Sequence, residues 1–254
     1  MTSLHMTGIW LILGSVVALI VAAYALMNLW IAWGIRRNPL RTASDRTISI
    51  LVAARNEEAN ILNCLQSLNN QDYPANKLQI LIGNDRSTDR TAEIVREFIA
   101  DKPWFQLVEI EDQFPGIKMK QNVLAHLAHH ATGELLLVTD ADITHHPLWA
   151  QQLVAHFQDG HALVTAGTVV DGTSAFAKMQ ALDWLQGVGY IKALDDYGLP
   201  ITAVGNNMAV TREAYWATGG YENIPFSITE DYKLFEVIRE QGGSHTFLYN
   251  PEAI

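Results

Sequence analysis

The chain has 254 residues, enough for one large domain or two small ones. Its 17 Lys and Arg against 27 Asp and Glu give a formal charge of -10, which argues against a nucleic-acid partner because phosphate binding needs a basic face. The single cysteine, Cys64, cannot form an intrachain disulfide, which fits a reducing compartment. Cys64 lies in a helical pattern and is expected in the core, where free cysteines are usually found.

A long apolar segment near the N-terminus raises the apolar content of the chain to 49%. Residues 8–35 carry no charge, and a helix of this length measures about 42 Å at 1.5 Å per residue, more than the roughly 30 Å hydrocarbon layer of a bilayer. Trp10 lies near one end, and Trp30 and Trp33 lie near the other, as in interfacial aromatic belts. A cleaved signal peptide has a shorter apolar core, of about 7–15 residues. We therefore predict a transmembrane helix.

Four arginines follow the apolar segment, and no Lys or Arg precedes it. They are Arg36, Arg37, Arg41 and Arg46. The positive-inside rule therefore predicts that the N-terminus lies outside the cell and that the rest of the chain lies in the cytoplasm. We divide the chain into a transmembrane helix at 8–35, a basic juxtamembrane linker at 36–46 and a cytoplasmic domain at 47–254, and we expect it in the cell membrane.

Apolar strand-like segments alternate with helical patterns over residues 47–140. The predicted strands are Thr47–Ala53, Leu78–Gly83, Phe105–Ile110 and Glu134–Thr139. We predict Asn56 as the N-cap of the first intervening helix and Ser87 or Thr88 as that of the second, because such side chains accept backbone N–H bonds at helix starts. The third helix is predicted over 120–130. This alternation indicates an α/β fold with a mostly parallel sheet flanked by helices.

The alternation becomes less regular beyond residue 140. A strand is predicted at Ala162–Val170, followed by an amphipathic helix at Ser174–Leu194 that bears Phe176, Met179 and Leu182 at near-helical intervals. Two interpretations of this helix remain open. It packs against the domain as an ordinary helix, or it lies near the membrane beside a lipid acceptor.

Polar clusters follow three of the predicted strands, with the sequences ARNEE, NDRSTD and DAD. Ligands of parallel α/β sheets bind beyond the carboxyl ends of the strands. Asp140 and Asp142 are two residues apart, so both side chains are expected on one side while Ala141 lies on the other. Two neighbouring carboxylates repel each other unless a cation neutralises them, and oxygen ligands suit Mg²⁺ or Mn²⁺, which bridge to phosphates. We predict a divalent ion that carries a phosphorylated ligand.

Five segments together resemble the family-2 glycosyltransferases of the GT-A fold. In chain order they are VAARNEEANILNCLQSL, ILIGNDRSTDRTAEIV, GELLLVTDAD, GNNMAVTREAYWATGGYE and TED. The resemblance covers residue 48 to the C-terminus. It implies a hexosyltransferase with a nucleotide-sugar donor, for which we expect a UDP-sugar, a Mg²⁺ or Mn²⁺ ion and an inverting displacement. The predicted membrane helix favours a lipid or membrane-proximal acceptor hydroxyl.

The resemblance also implies roles for the residues of the donor site. Arg55 and Glu57 would line the nucleoside pocket, and Asp85 would contact the base. Lys118 or Lys120 would lie near the donor phosphates, and the spacing of this segment does not decide between them.

The remaining roles concern the reacting groups. Asp140 would lie near the ribose or diphosphate and the metal, and Asp142 would bind the metal. Asp231 of the TED segment would be the catalytic base, because the displacement needs a carboxylate that takes the acceptor hydroxyl proton. Glu230 and Asn207 are predicted on the acceptor side.

The chain departs from the family pattern in three places. Ala53 stands where many members have proline, and Asn84 replaces the first of two common aspartates, while Asp85 keeps the base contact. Ile254 ends the chain before the Gln-x-x-Arg-Trp segment that membrane-bound members often have. We therefore expect the C-terminal part of the domain, with further membrane helices, to be missing.

Two other functions fit parts of the sequence. DADIT also matches the Asp-x-Asp-x-Thr motif of haloacid-dehalogenase-like phosphatases, but that motif follows the first strand of its domain. Here three predicted strands precede the strand that leads into DADIT. A membrane-tethered, non-catalytic nucleotide-sugar sensor would have the same pocket. The presence of Asp231 argues against a sensor.

Overall fold

The computed structural model describes residues 2–41 and 45–254, with side chains from residue 8 onward apart from residues 158 and 159. Residues 42–44 of the predicted juxtamembrane linker lie outside the described residues. The helices are α1 (Thr2–Gly34), α2 (Ile61–Asn69), α3 (Thr91–Ile99), α4 (Met119–His130), α5 (Trp149–Ala155), α6 (Ala175–Asp196), α7 (Arg212–Ala217) and α8 (Glu230–Glu240). The strands are β1 (Ile48–Ala54), β2 (Leu78–Asn84), β3 (Phe105–Glu109), β4 (Leu135–Asp140), β5 (Leu163–Ala166), β6 (Asn207–Thr211) and β7 (His245–Leu248).

These strands form one sheet in the order β3-β2-β1-β4-β6-β5-β7. Strands β1 to β4 run parallel, β6 runs antiparallel between β4 and β5, and β7 is parallel to β5. The predicted α/β class with a mostly parallel, helix-flanked sheet is confirmed. The strand predicted over 162–170 is shorter than expected, because pairing with β6 and β7 stops at Ala166.

Both faces of the sheet are covered, which explains the continuous apolar runs of its central strands. Ile50 and Val52 of β1 pack in one core with Cys64 of α2. Leu51, between them, packs in the opposite core with Leu124 of α4. The prediction that Cys64 is a core residue is therefore confirmed. Packing of helices on both faces also holds the sheet in place, and with it the edge at which the polar clusters lie.

The predicted helix starts after β1 and β2 are wrong, because their polar residues make hydrogen bonds to each other. Helix α2 begins at Ile61 and α3 at Thr91. Asn56 has a left-handed backbone (φ 57°), and its side-chain oxygen accepts the Thr88 N–H at 2.8 Å. Its own N–H donates to the Ser87 hydroxyl at 3.0 Å. Neither Asn56 nor Ser87 nor Thr88 caps a helix.

We call residues 55–60 and 85–91 the paired loops. The Glu57 N–H donates to the Thr91 hydroxyl at 2.8 Å, and the Glu58 N–H donates to Asp89 at 3.1 Å. The Arg90 N–H in turn donates to the Glu58 carboxylate at 3.0 Å. The two loops therefore hold each other at the carboxyl end of the sheet.

Helix α1 is long and apolar enough to cross a membrane, judged by length and composition. Its apolar part spans Gly8–Gly34, with 27 residues and a mean hydropathy of 2.5, and its side chains are almost all exposed. Among the described residues it is the one helix with these properties.

The C-terminal end of α1 contacts the C-terminal end of α6. The Trp30 ring stacks on Tyr197 with centroids 4.7 Å apart, and the Arg36 N–H donates to Asp196 at 2.7 Å. Asp196 also pairs with the buried Lys192, whose ammonium donates to a backbone carbonyl of β7 at 3.0 Å. Contacts therefore run from α1 through α6 to the edge of the sheet.

Candidate active site

The carboxyl ends of β1, β2 and β4 meet at one edge of the sheet, as parallel neighbours must. A cavity of about 300 Å³ opens there, which we call the Asp142 cavity. Its lining includes all but one of the residues predicted for the donor and metal, namely Arg55, Glu57, Asp85, Lys120, Asp140 and Asp142. The structure thus brings together side chains from segments up to 87 positions apart, counted from 55 to 142.

A second cavity of about 350 Å³ adjoins the first, and we call it the Asp231 cavity. Glu230 and Asp231, at the start of α8, line it together with Asn206. Lys120 and Asp140 line both cavities. The two predicted parts of the site, donor side and acceptor side, therefore share a wall.

Lys120 connects the two cavities electrostatically. Its Nζ lies 2.5 Å from Asp140 Oδ1 and 3.2 Å from Glu230 Oε1. Burial acts to lower the pKa of Lys120, but the two carboxylates outweigh it and hold this pKa above its ordinary value. Burial raises the pKa of Glu230, and Lys120 opposes that shift. The ammonium thus stays charged and offsets part of the negative charge of the Asp140 and Glu230 carboxylates.

Lys118, the other predicted lysine, has a different environment. It is exposed, its Nζ lies 4.9 Å above the Phe226 ring, and it lines the Asp231 cavity but not the Asp142 cavity. Met119 has a left-handed backbone (φ 57°), which turns the chain between the two lysines. The geometry favours Lys120 as the basic residue of the donor site.

Replacing Lys120 by methionine is expected to lower the free energy of unfolding by about 1–3 kcal/mol, because Glu230 stays buried without its cation. Lys118→Met is the matched control, and as a surface change it should stay within about 0.5 kcal/mol. Denaturant unfolding of the two variants in the same detergent measures the difference. Equal stability of both variants would show that the Lys120 contacts contribute nothing.

The geometry of Asp140 and Asp142 suits a divalent ion in part. Ala141 packs in the core, and the side chains of Asp140 and Asp142, on either side of it in sequence, both line the cavity. Asp142 is exposed, and within the described residues its carboxylate makes no hydrogen bond or ion pair, while Asp140 pairs with Lys120. No group of three or more His, Cys, Asp or Glu suited to a metal occurs among the described residues. The two carboxylates fit an ion that takes its other oxygens from phosphate and water, as Mg²⁺ usually does.

Asp85, which lines the Asp142 cavity, is paired with two arginines. Asp85 is buried, with Oδ2 3.3 Å from the Arg55 guanidinium and Oδ1 2.9 Å from that of Arg86. Arg86 does not line the cavity itself, and its contact is with the Asp85 carboxylate. Asn84 does not line the cavity, since its amide donates to Glu109 at 2.6 Å, so its departure from the family pattern leaves Asp85 unaffected.

Asp231 is held by backbone N–H groups. Its Oδ2 accepts the Gly205 N–H at 2.7 Å, and its Oδ1 accepts the Tyr232 N–H at 2.8 Å. A Cβ at Gly205 would lie 2.7 Å from the Asp231 side chain, so the close approach depends on glycine. The carboxylate has a fixed orientation in the cavity.

The prediction that Asn207 lies on the acceptor side is wrong. Asn207 is fully buried, and its side chain bonds to the Trp149 indole and to the carbonyls of Gly167 and Ala253, each at 2.8 Å. Side chains alternate along a strand, and β6 begins at Asn207, so this residue faces the core. Asn206, one position earlier, lines the Asp231 cavity instead.

The sheet, its helices and the carboxylates at its edge define a GT-A fold. The mannosyltransferase PcManGT from Pyrobaculum calidifontis, in complex with GDP-Man and Mn²⁺, shares this fold with a TM-score of 0.69, at 21% identity over 93% of this chain and 66% of that one. The sequence profile described as Glycosyl transferase family 2 matches residues 49–219, more than half of the chain. The chain belongs to glycosyl transferase family 2, as its motifs predicted.

Curated relatives agree with this assignment. The chain is 30% identical over 240 residues to a beta-monoglucosyldiacylglycerol synthase of Synechocystis sp.. The matched region covers 89% of this chain and 48% of the relative. It is 27% identical over 216 residues to the probable glycosyltransferase YdaM of Bacillus subtilis, and this match covers 82% of this chain and 49% of the relative. The chain thus spans about half the length of these relatives.

Proposed function

We propose that the chain is the catalytic part of an inverting glycosyltransferase, which moves a hexosyl group from a nucleotide sugar to a hydroxyl of a lipid or membrane-proximal acceptor. The observation that carries the proposal is the pair of adjoining cavities, with the Asp140 and Asp142 carboxylates in one and Asp231 in the other. In this proposal residues 47–254 form the cytoplasmic domain, 36–46 the basic linker and 8–35 the membrane anchor.

The donor would occupy the Asp142 cavity. Asp142 and Asp140 would hold Mg²⁺ or Mn²⁺, which supplies charge stabilisation for a leaving diphosphate when bound. Lys120, already protonated at this wall, adds a positive charge beside the same group. The GDP-Man and Mn²⁺ bound to PcManGT support a nucleotide sugar and a divalent ion.

The base of the donor would contact Asp85. Asp85 Oδ1 accepts two N–H groups of Arg86, whereas Oδ2 accepts one from Arg55 and keeps a lone pair that can accept an N–H of the base. Arg55 and Glu57 line the same end of the cavity. We expect a UDP-sugar, because the family resemblance favours it.

The acceptor hydroxyl would enter the Asp231 cavity. Asp231, oriented by two backbone N–H groups, would take the hydroxyl proton as the oxygen attacks the anomeric carbon. Attack from the side opposite the leaving diphosphate inverts the anomeric configuration. The name of the Synechocystis relative, a diacylglycerol glycoside synthase, supports a lipid acceptor, and so does the apolar helix α1.

The proposed function is tested with native membranes that contain the expressed chain. A panel of nucleotide sugars is added, and products are identified by mass spectrometry and by NMR of the anomeric centre. Release of nucleoside diphosphate that requires acceptor, with inverted configuration, is the expected result. Release of free phosphate from small phosphoesters would favour the phosphatase, and nucleotide-sugar binding without turnover would favour the sensor.

Replacing Gly205 by alanine is expected to reduce turnover by up to about 10²-fold, because the new methyl group displaces the Asp231 carboxylate. Donor binding should not change, which shows that the protein is folded. Gly187→Ala in α6 is the matched control, since an added Cβ there meets nothing within 4 Å. Normal turnover of Gly205→Ala would mean that the position of Asp231 is unimportant.

A cysteine in place of Thr2 is expected to react with an impermeant maleimide in intact cells, because the positive-inside rule, applied to the arginines after α1, predicts an N-terminus outside the cell. Asp101→Cys, in an exposed loop of the domain, is the control and should react only after permeabilisation. Cys64 gives no background, because burial raises its pKa to about 12 and leaves little reactive thiolate. The reverse labelling pattern would reverse the orientation.

A further inference from the structure

The first half of α6 projects from the domain with apolar side chains in solvent. Phe176, Met179 and Leu182 are 69%, 70% and 72% exposed, and they follow one another at three-residue intervals. Most of the exposed large apolar side chains outside α1 fall within residues 169–201. Such a concentration of apolar surface indicates a contact that the isolated chain does not make.

The same face of α6 is covered by α1 in its second half. The Gln186 amide donates to Asn28 of α1 at 2.9 Å and to Tyr190 at 2.7 Å, and Trp30 of α1 stacks on Tyr197. At 100° per residue, positions 176, 179, 182, 186, 190 and 197 lie within about 120° of one another around the helix axis. The apolar surface of residues 176–182 is therefore continuous with the surface that contacts α1.

We propose that Phe176, Met179 and Leu182 insert into the lipid surface beside α1. We call these three side chains the α6 apolar strip. The inference rests on the part of the proposed function that puts α1 in the membrane, since a helix attached to a membrane span lies within reach of the same bilayer. Lys178 and Gln180, both exposed, lie about 100° to either side of Met179 around the helix axis. Asp183 lies on the same face as the strip, one residue beyond its end, which suits an amphipathic helix at the level of the headgroups.

The insertion determines where the Asp231 cavity opens. Trp184 follows the strip by two residues and lines that cavity, and its indole donates to the Thr168 carbonyl at 2.8 Å. Ile228, 83% exposed, lies at the same cavity. With the strip in lipid, the cavity opens at the bilayer surface, so that an acceptor can reach it with its acyl chains still in the membrane.

The strip is tested by spin labelling of the full chain in phosphatidylcholine–phosphatidylglycerol nanodiscs. Single cysteines replace Met179, Leu182 and Asp101, and Leu19 near the middle of α1 serves as the calibration for lipid. Labels at 179 and 182 are expected to collide more with oxygen than with a water-soluble nickel complex, as the label at 19 does. The label at 101, in an exposed loop of the domain, should show the opposite preference.

Two outcomes would overturn the inference. Collision with nickel at 179 and 182 as frequent as at 101 would place the strip in water. Immobilised labels with spin–spin broadening, lost on dilution with unlabelled chain, would show that a second copy covers it. The measurement uses neither donor nor acceptor, so its failure is separate from a failure of the proposed sugar transfer.

Discussion

Replacing Asp231 by asparagine is expected to lower the turnover by about 10²–10⁴-fold, which corresponds to roughly 3–5 kcal/mol of barrier at about 1.36 kcal/mol per tenfold. Asparagine can still accept the Gly205 N–H, so the loop keeps its position, but an amide oxygen cannot take a proton from the acceptor hydroxyl. Asp231 does not line the Asp142 cavity. Donor affinity should therefore remain nearly unchanged while the chemical step slows.

The control for Asp231→Asn is Glu213→Gln, which removes a carboxylate from the first turn of another helix, α7. Both changes weaken a favourable interaction with a helix dipole, but only one affects the cavity. Single-turnover assays and donor binding by calorimetry separate chemistry from affinity. Near-normal turnover of Asp231→Asn, or a product with retained configuration, would refute the base mechanism and leave the fold assignment intact.

Replacing Asp142 by asparagine is expected to abolish donor binding that depends on Mg²⁺ or Mn²⁺. Asp142 is exposed and makes no ion pair within the described residues, so its carboxylate is available as a ligand and contributes little to stability. An amide carries no charge and binds such ions far more weakly. Calorimetric titration with a nucleoside diphosphate, with and without the ion, measures the loss of metal-dependent affinity.

Asp171→Asn serves as the control, because Asp171 is an exposed aspartate in the loop before α6. It should bind donor and metal as the original chain does. An Asp142→Asn protein with unchanged melting temperature and unchanged metal-dependent affinity would place the ion elsewhere.

The fold and the edge of the sheet that carries the site were predictable from the sequence because they depend on local patterns. Apolar strand segments such as Leu135–Thr139 end in carboxylates, and the carboxyl ends of parallel strands must meet. The position of Asp142 beside Asp140 follows from the same geometry. The structure agrees with this prediction, because Ala141 between the two aspartates is buried in the core.

The errors and omissions concern contacts between distant segments. Asn207 bonds to groups 40 to 58 positions away, so its core role is invisible in its own sequence neighbourhood. The choice between Lys118 and Lys120 depends on a left-handed turn at Met119 and on a partner, Glu230, on another helix. Helix-capping residues are also ambiguous, because the same side chains bond equally well to a neighbouring loop.

The hydrogen bonds between the paired loops preorganise one wall of the Asp142 cavity, where we propose that the donor binds. The entropy cost of ordering this backbone is part of folding, so it does not reduce the affinity for a nucleotide. The Arg55 side chain, 58% exposed, still has to be immobilised, at about 0.5–1.5 kcal/mol. The backbone of the wall, unlike this side chain, cannot reshape itself around a larger ring. We therefore expect sharp discrimination between pyrimidine and purine nucleotides.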